Sequence, residues 1–180
     1  MTEDLGWLVL TVRVPAQPSR HRVAVWRELR RAGALAIGQG CWAIPDVPAA
    51  ATLVPRVREL AARGEGEAVV LTASGRTPDD AARLEARFTA EREAEWTGFL
   101  AECDEYDAEI DEEIRTEKFT LAELHEEERS LERLRRRHRE IRMRDVFGAT
   151  SASRADELFK HCACRLEEFT ERVFAALHQS

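Results

Sequence analysis

No stretch of this sequence approaches the ~20 consecutive apolar residues that a membrane-spanning helix needs, so no membrane partner is expected. The start, Met1 to Leu10, carries Glu3 and Asp4 where a secretory signal would carry Lys or Arg. A cytoplasmic location is expected on that ground. Cysteine is scarce: Cys41, Cys103, Cys162 and Cys164 are the four, and none forms a C-x-x-C pair. Zinc-ribbon and thioredoxin-like readings fail there, and in a reducing compartment the thiols should stay free. The Gly38-Gln39-Gly40 turn lacks the GK[ST] ending of a phosphate loop and leads into a strand, not a helix. There is no G-x-S-x-G nucleophile elbow and no flavin or nicotinamide motif. No catalytic constellation is visible, and the chain is read as a non-enzyme.

What is present is a 180-residue chain, 44% apolar and 34% charged. The apolar share argues against disorder, and the charged share suits long solvated helices. Trp7 to Val14 is apolar, β-branched and stopped by Pro15, which predicts a buried strand. A helix follows from Arg20 to Ala32, with Ser19 as N-cap and Gly33 as stop. Val23, Val25, Trp26 and Leu29 are its inward positions. Ala34–Ile37 and Cys41–Ile44 flank the glycine turn as a hairpin. Ala49 to Ala62 reads as a second helix, with Leu53, Val57 and Leu60 inward. Glu67 to Ala73 reads as a fourth strand. The order β-α-β-β-α-β is the ferredoxin-like pattern, burying Trp7, Trp26 and Trp42.

From Thr77 onward the pattern is helical. Pro78 sits at a first-turn position, and a stripe runs from Leu84 through Phe88, Trp96 and Phe99 to Ile114. A break falls near Lys118-Phe119, and Thr120 with Glu123 forms a capping box. Leu121, Leu124, Leu131, Leu134, His138 and Ile141 follow at coiled-coil-like spacing. Ser151 or Ser153 caps a last helix whose inward set runs from Leu158 and Phe159 through Cys162, Leu166 and Phe169 to Val173, Phe174 and Leu177. The expected fold is α+β: a ferredoxin-like head over residues 1–76, then a three-helix region, a hairpin or bundle, over 77–180.

Charge is segregated within a net of −7. Residues 102–128 hold thirteen acids against Arg115 and Lys118. Residues 133–144 hold seven arginines (Arg133, Arg135, Arg136, Arg137, Arg139, Arg142, Arg144), no lysine, and one acid, Glu140. The first helix adds Arg20, Arg22, Arg27, Arg30 and Arg31 against Glu28. One reading is an arginine face that grips phosphate or another oxyanion, since the guanidinium fork matches that geometry bidentately. The other is that the basic segment pairs with the acidic one across a helical hairpin, as solvated helices commonly do.

His161-Cys162-Ala163-Cys164 puts three soft or borderline ligands in four residues. On a helix, Cys162 and Cys164 diverge by about 200° and cannot hold one ion together, so Cys162 reads as core and Cys164 as surface. His21, His125 and His138 stand on charged helix faces and read as solvated. A di-metal carboxylate site would want Glu-x-x-His motifs on paired helices, and none occurs.

The segments Ser19–Ala34 (SRHRVAVWRELRRAGA), with its R-x-x-VWR-x-LR-x-x-GA pattern, and Ile141–Ala149 (IRMRDVFGA) resemble the N-terminal domain of the ChrB chromate-resistance family, as does the strand before the first and the hairpin ending CWAIPD. The resemblance covers nearly the whole chain. The head is similar also to the central domain of phenylacetate-type repressors and to small CRISPR-adaptation nucleases. Those nucleases place an aspartate at the end of the first strand, where this chain has Arg13-Val14-Pro15. The ChrB resemblance implies a chromate-responsive transcriptional regulator, a repressor on an efflux operon, with DNA and chromate as partners and no cofactor beyond chromate as effector. The competing readings are a non-catalytic interaction module that forms a homodimer or binds a partner chain, with its arginines satisfied internally, and an enzyme, either a nuclease or a chromate reductase using the cysteines.

Overall fold

The computed structural model describes residues 5–179, without the side chain of Gln179. Residues 1–4 and 180, and with them the expectation built on Glu3 and Asp4, lie outside the described residues. The fold is α+β and mostly helical. Its elements are β1 (Trp7–Arg13), α1 (Ser19–Arg31), β2 (Leu35–Gly38), β3 (Cys41–Pro45), a 3-10 turn (Pro48–Ala50), α2 (Leu53–Arg63), β4 (Glu67–Ala73), α3 (Pro78–Arg115), α4 (Leu121–Arg144) and α5 (Ala152–Gln179). Two units emerge, residues 1–88 and 89–180, with the division inside α3.

The first unit is built on a four-stranded antiparallel sheet in the order β2-β3-β1-β4. Period-2 alternation puts Leu8, Leu10 and Val12 of β1 on one face, with Trp42 and Ile44 of β3 and Ala68 and Val70 of β4. Val25 and Leu29 of α1 and Leu53, Val57 and Leu60 of α2 close over that face. Leu10, Leu29 and Val57 are fully excluded from solvent, and truncating a Leu of this kind to Ala costs about 2–5 kcal/mol. On the opposite face, Trp7 meets Phe88 edge-on at 5.7 Å, and Arg87 donates to the carbonyl of Ala36 at 3.1 Å.

Helix α1 ends as expected at Gly33, which takes φ 78°, a left-handed conformation that suits glycine. The Gly33 and Ala34 N–H groups donate back to Arg30 and Leu29 carbonyls, a Schellman closure. Its start differs from expectation. Pro18 is the extended N-cap residue and Ser19 is already helical, so Ser19 makes no cap. Trp26 also departs from the expected core: it is 52% exposed, and Val23 beside it is exposed too. At 100° per residue only Val25 and Leu29, one turn apart, point at the sheet. Trp26 lies a third of a turn off that line.

The second unit has its own core. Trp96, Phe99, Cys103, Tyr106 and Ile110 of α3 meet Leu124, Leu131, Leu134 and Ile141 of α4 and Cys162, Phe169 and Val173 of α5. The α3–α4 connection turns at Glu117, with φ 54°. Thr120 caps α4 by accepting the Glu123 N–H at 3.2 Å. Leu121, Phe174 and Leu177, expected inside, are exposed; Phe174 stands one 100° step from Val173, which holds the core position. Ser151, one of the two expected caps, immediately precedes α5, and the start of that helix is also held from a distance. The Glu93 carboxylate on α3 accepts the Thr150 N–H and, at 3.2 Å, the Ser151 N–H. Those are orphan donors at a helix N-terminus, where a negative charge is favoured.

Candidate nucleic-acid interface

Helix α4 turns Leu124, Leu131, Leu134 and Ile141 inward, and the same geometry turns most of its arginines out. The seven expected site arginines separate into three groups. Arg137, Arg142 and Arg144 are used within the unit. Arg137 pairs with Glu102 of α3 at 2.5 Å, and Arg144 with Glu95 at 3.0 Å. Arg142 pairs with Asp156 of α5 and lies over the Trp96 ring, 5.4 Å from its centroid. Arg135 and Arg139 share Glu132 on their own helix, at 2.7 and 4.0 Å. Those surface pairs are weak and easily exchanged.

Arg133 and Arg136 have no carboxylate. Arg133 donates only to the Ser130 hydroxyl at 2.8 Å. Arg136 has no hydrogen bond or ion pair among the described residues. Arg129, outside the expected set, is equally unpaired and exposed. Residues 129, 133 and 136 recur at i, i+4 and i+7, so they form one stripe. That spacing was present in the sequence, but Arg129 sits just before the dense run and next to Glu128.

Helix α1 presents a second arginine surface, on the first unit. Arg20, Arg22, Arg27, Arg30 and Arg31 are all exposed. Arg31 pairs with Glu28 at 2.9 Å, and Arg20 meets only the neighbouring His21 ring, at 3.3 Å. Arg22 and Arg27 have no partner among the described residues. Exposed Trp26 stands between them in sequence.

Within the second unit, the acidic stretch does little to neutralise the α4 arginines. Glu102 is the acid of residues 102–128 that reaches an arginine of 133–144. Asp107 and Asp111 turn instead to Arg165 of α5, which bonds Asp107 at 2.7 Å and also Asp111, and Asp107 meets His161 at 3.3 Å. Two acids are buried instead: Glu113 and Glu127. Burial and the neighbouring acids push each carboxyl up to about 7 from an ordinary 4.5.

His138 is not solvated as expected. It lies 2.7 Å from Asp156 and is stacked on Phe159 at 5.3 Å, with Trp96 and Phe99 completing an aromatic box. Trp96 donates its indole N–H to Asp145 at 2.9 Å, and Asp145 accepts the Ala149 N–H at 2.9 Å. The IRMRDVFGA segment is therefore the joint that ties α4 and α5 to α3. Cys162 is buried and Cys164 exposed. The Cys162 thiol donates to the Cys103 carbonyl oxygen at 3.6 Å, and the neighbouring Cys162 side chain, with burial, holds the Cys103 thiol well above the ordinary thiol range. Among the described residues no group of three or more His, Cys, Asp or Glu is placed to hold a metal ion. No helix among them is long and apolar enough to cross a membrane.

Residues 22–180 match the family model described as Protein ChrB, N-terminal. A curated relative, Protein ChrB of Cupriavidus metallidurans, is 28% identical over 157 residues, 85% of this chain. The chain spans 44% of that protein's length. No solved structure matches.

Proposed function

The chain belongs to the ChrB N-terminal family, and on that premise we propose that it serves as the DNA-binding module of a cytoplasmic, chromate-responsive transcriptional regulator. The observation that carries this is the set of exposed arginines with no carboxylate partner, Arg22 and Arg27 on α1 and Arg129, Arg133 and Arg136 on α4, in a chain whose net charge is −7. An acidic protein does not gather phosphates by overall charge, so guanidinium groups without a carboxylate are what a polyanion would find. Helix α4 presents Arg129, Arg133 and Arg136 as one stripe along its length. Chromate, an oxyanion with phosphate-like geometry, would compete for the same forks. We read the head as ferredoxin-like, and the all-antiparallel order β2-β3-β1-β4 supports that reading. It also favours a regulator like the phenylacetate-type repressors.

The test is titration of the full chain into labelled duplex DNA from its own upstream region, with and without chromate. Saturable binding that weakens with salt and is released by chromate supports the proposal. Absence of binding at low salt removes autonomous DNA recognition.

A homodimer is favoured by one specific observation. Edge strand β4 exposes Val69 and Leu71, and antiparallel pairing of two copies about Val70 would set each against the other. Sedimentation should show a dimer that Leu71→Lys dissociates; a wild-type monomer at all concentrations contradicts it.

A further inference from the structure

The first unit holds a groove of about 1050 Å³, where the C-terminal end of β1, the β2–β3 turn, the α2–β4 turn and α1 meet. That is at the upper end of the roughly 300–1,000 Å³ common for small-molecule sites. Val25 and Leu29 of α1 and Trp42 of β3 line it, all buried, with Trp26 as an exposed aromatic wall. Arg13 and Arg22 supply its cations. Arg13 stands cross-strand from Glu67 in the β1–β4 ladder, yet neither arginine has an ion pair among the described residues. Glu65 and Glu67 supply carboxylates, and Gln39 an amide.

A purely apolar peptide would leave the two guanidinium groups desolvated and unmatched. A bare inorganic anion would use the arginines and leave the indole idle. A ligand with an aromatic face, hydrogen-bond donors and an anionic end uses all three. Trp26 offers a face for a base, the glutamates accept from its amino groups, and the arginines take the phosphate.

We propose that this groove binds a nucleoside phosphate, with the base against Trp26 and the phosphate on Arg13 and Arg22. The ligand class rests on the nucleic-acid reading above. The nucleotide is either free or part of an unpaired strand. The chemistry is the same in both cases.

The experiment uses tryptophan fluorescence of the full chain. Trp7 and Trp96 do not line the groove, and of the two tryptophans that do, Trp26 is 52% exposed and Trp42 9%, so the Trp26→Phe variant separates the Trp26 signal. Deoxyadenosine monophosphate, a six-residue deoxyadenosine single strand and inorganic phosphate are titrated separately, and the duplex titration runs in parallel. The expected result is saturable quenching by the nucleotide, lost in Trp26→Phe. Calorimetry should give binding roughly tenfold weaker in Trp26→Ala and at least as much weaker in Arg22→Gln and Arg13→Gln. Both positions are solvent-exposed, and circular dichroism confirms that the variants fold. Tighter binding of the single strand than of the mononucleotide assigns the site to an unpaired strand; equal binding assigns it to a free nucleotide. Failure of both to quench, equal saturation by phosphate alone, or binding indifferent to Arg22→Gln and Trp26→Ala overturns the proposal. If the duplex still binds in that case, the DNA reading survives without the groove. If the nucleotide binds and the duplex does not, the groove stands and the DNA reading falls.

Discussion

Glu113 and Glu127 come from adjacent helices and are both withdrawn from water, with Glu109, Glu123 and Glu126 adding like charge and Lys118 acting against it on Glu113. Their buried Oε2 atoms and the Tyr106 hydroxyl have no hydrogen-bond partner among the described residues. A carboxyl that titrates near 7 when folded and near 4.5 when unfolded keeps its proton in the native state over that interval. The native state then binds more protons, so the contribution of these two groups is full below pH 4.5 and is lost as pH rises through 7. Glu127→Gln should flatten this decline and raise stability at pH 8 by about 1–3 kcal/mol. Chemical denaturation at pH 5 and pH 8 measures it; a variant with the wild-type slope would refute the assignment. At this scale the sequence was only partly legible. Cys162 as core and Cys164 as surface follow from the 100° step between helical residues. The burial of two glutamates inside a thirteen-acid stretch does not, because it depends on which face α3 and α4 share.

At the scale of elements, boundaries were legible where a local signal marks them. Gly33 ends α1, Thr120 starts α4, and β4 runs over Glu67–Ala73 as its alternation implies. Legibility fails where the partner is remote. Glu93 caps α5 from more than fifty residues away in sequence, so nothing near Ser151 announces it. Glu93→Ala should cost about 0.5–2 kcal/mol, a fall in Tm of about 1–8 °C for a chain of this size. A thermal melt at neutral pH tests this, and an unchanged Tm would show that the cap contributes nothing. The same limit explains the arginines. Their number on α4 was plain, but whether each faces Glu102, Asp156, Glu95 or water is decided by helices distant in the chain.

For the whole molecule, the excess of acid gives the net charge of −7; within residues 102–128, Asp107 and Asp111 pair with Arg165 of α5, Glu112 with Arg115 of its own helix, and Glu113 and Glu127 are buried. On α4 the stripe of Arg129, Arg133 and Arg136 has no carboxylate, and on α1 Arg22 and Arg27 have no partner among the described residues. The family resemblance was legible from two short segments, and one of them, IRMRDVFGA, turns out to be a structural joint. Its arginines, Arg142 and Arg144, are engaged within the second unit and should matter for stability more than for binding. The unpaired set should carry the interaction with DNA.

The most direct measurement is the dependence of the duplex dissociation constant on salt, compared between the wild-type chain and the variant R22Q/R27Q/R129Q/R136Q. Each phosphate contact contributes about −0.9 to the slope of log K against log salt. The expected result is a steep wild-type slope that becomes shallower by about 3–4 in the variant, with folding unchanged. An identical slope in both proteins would place the DNA contacts elsewhere and contradict the central claim.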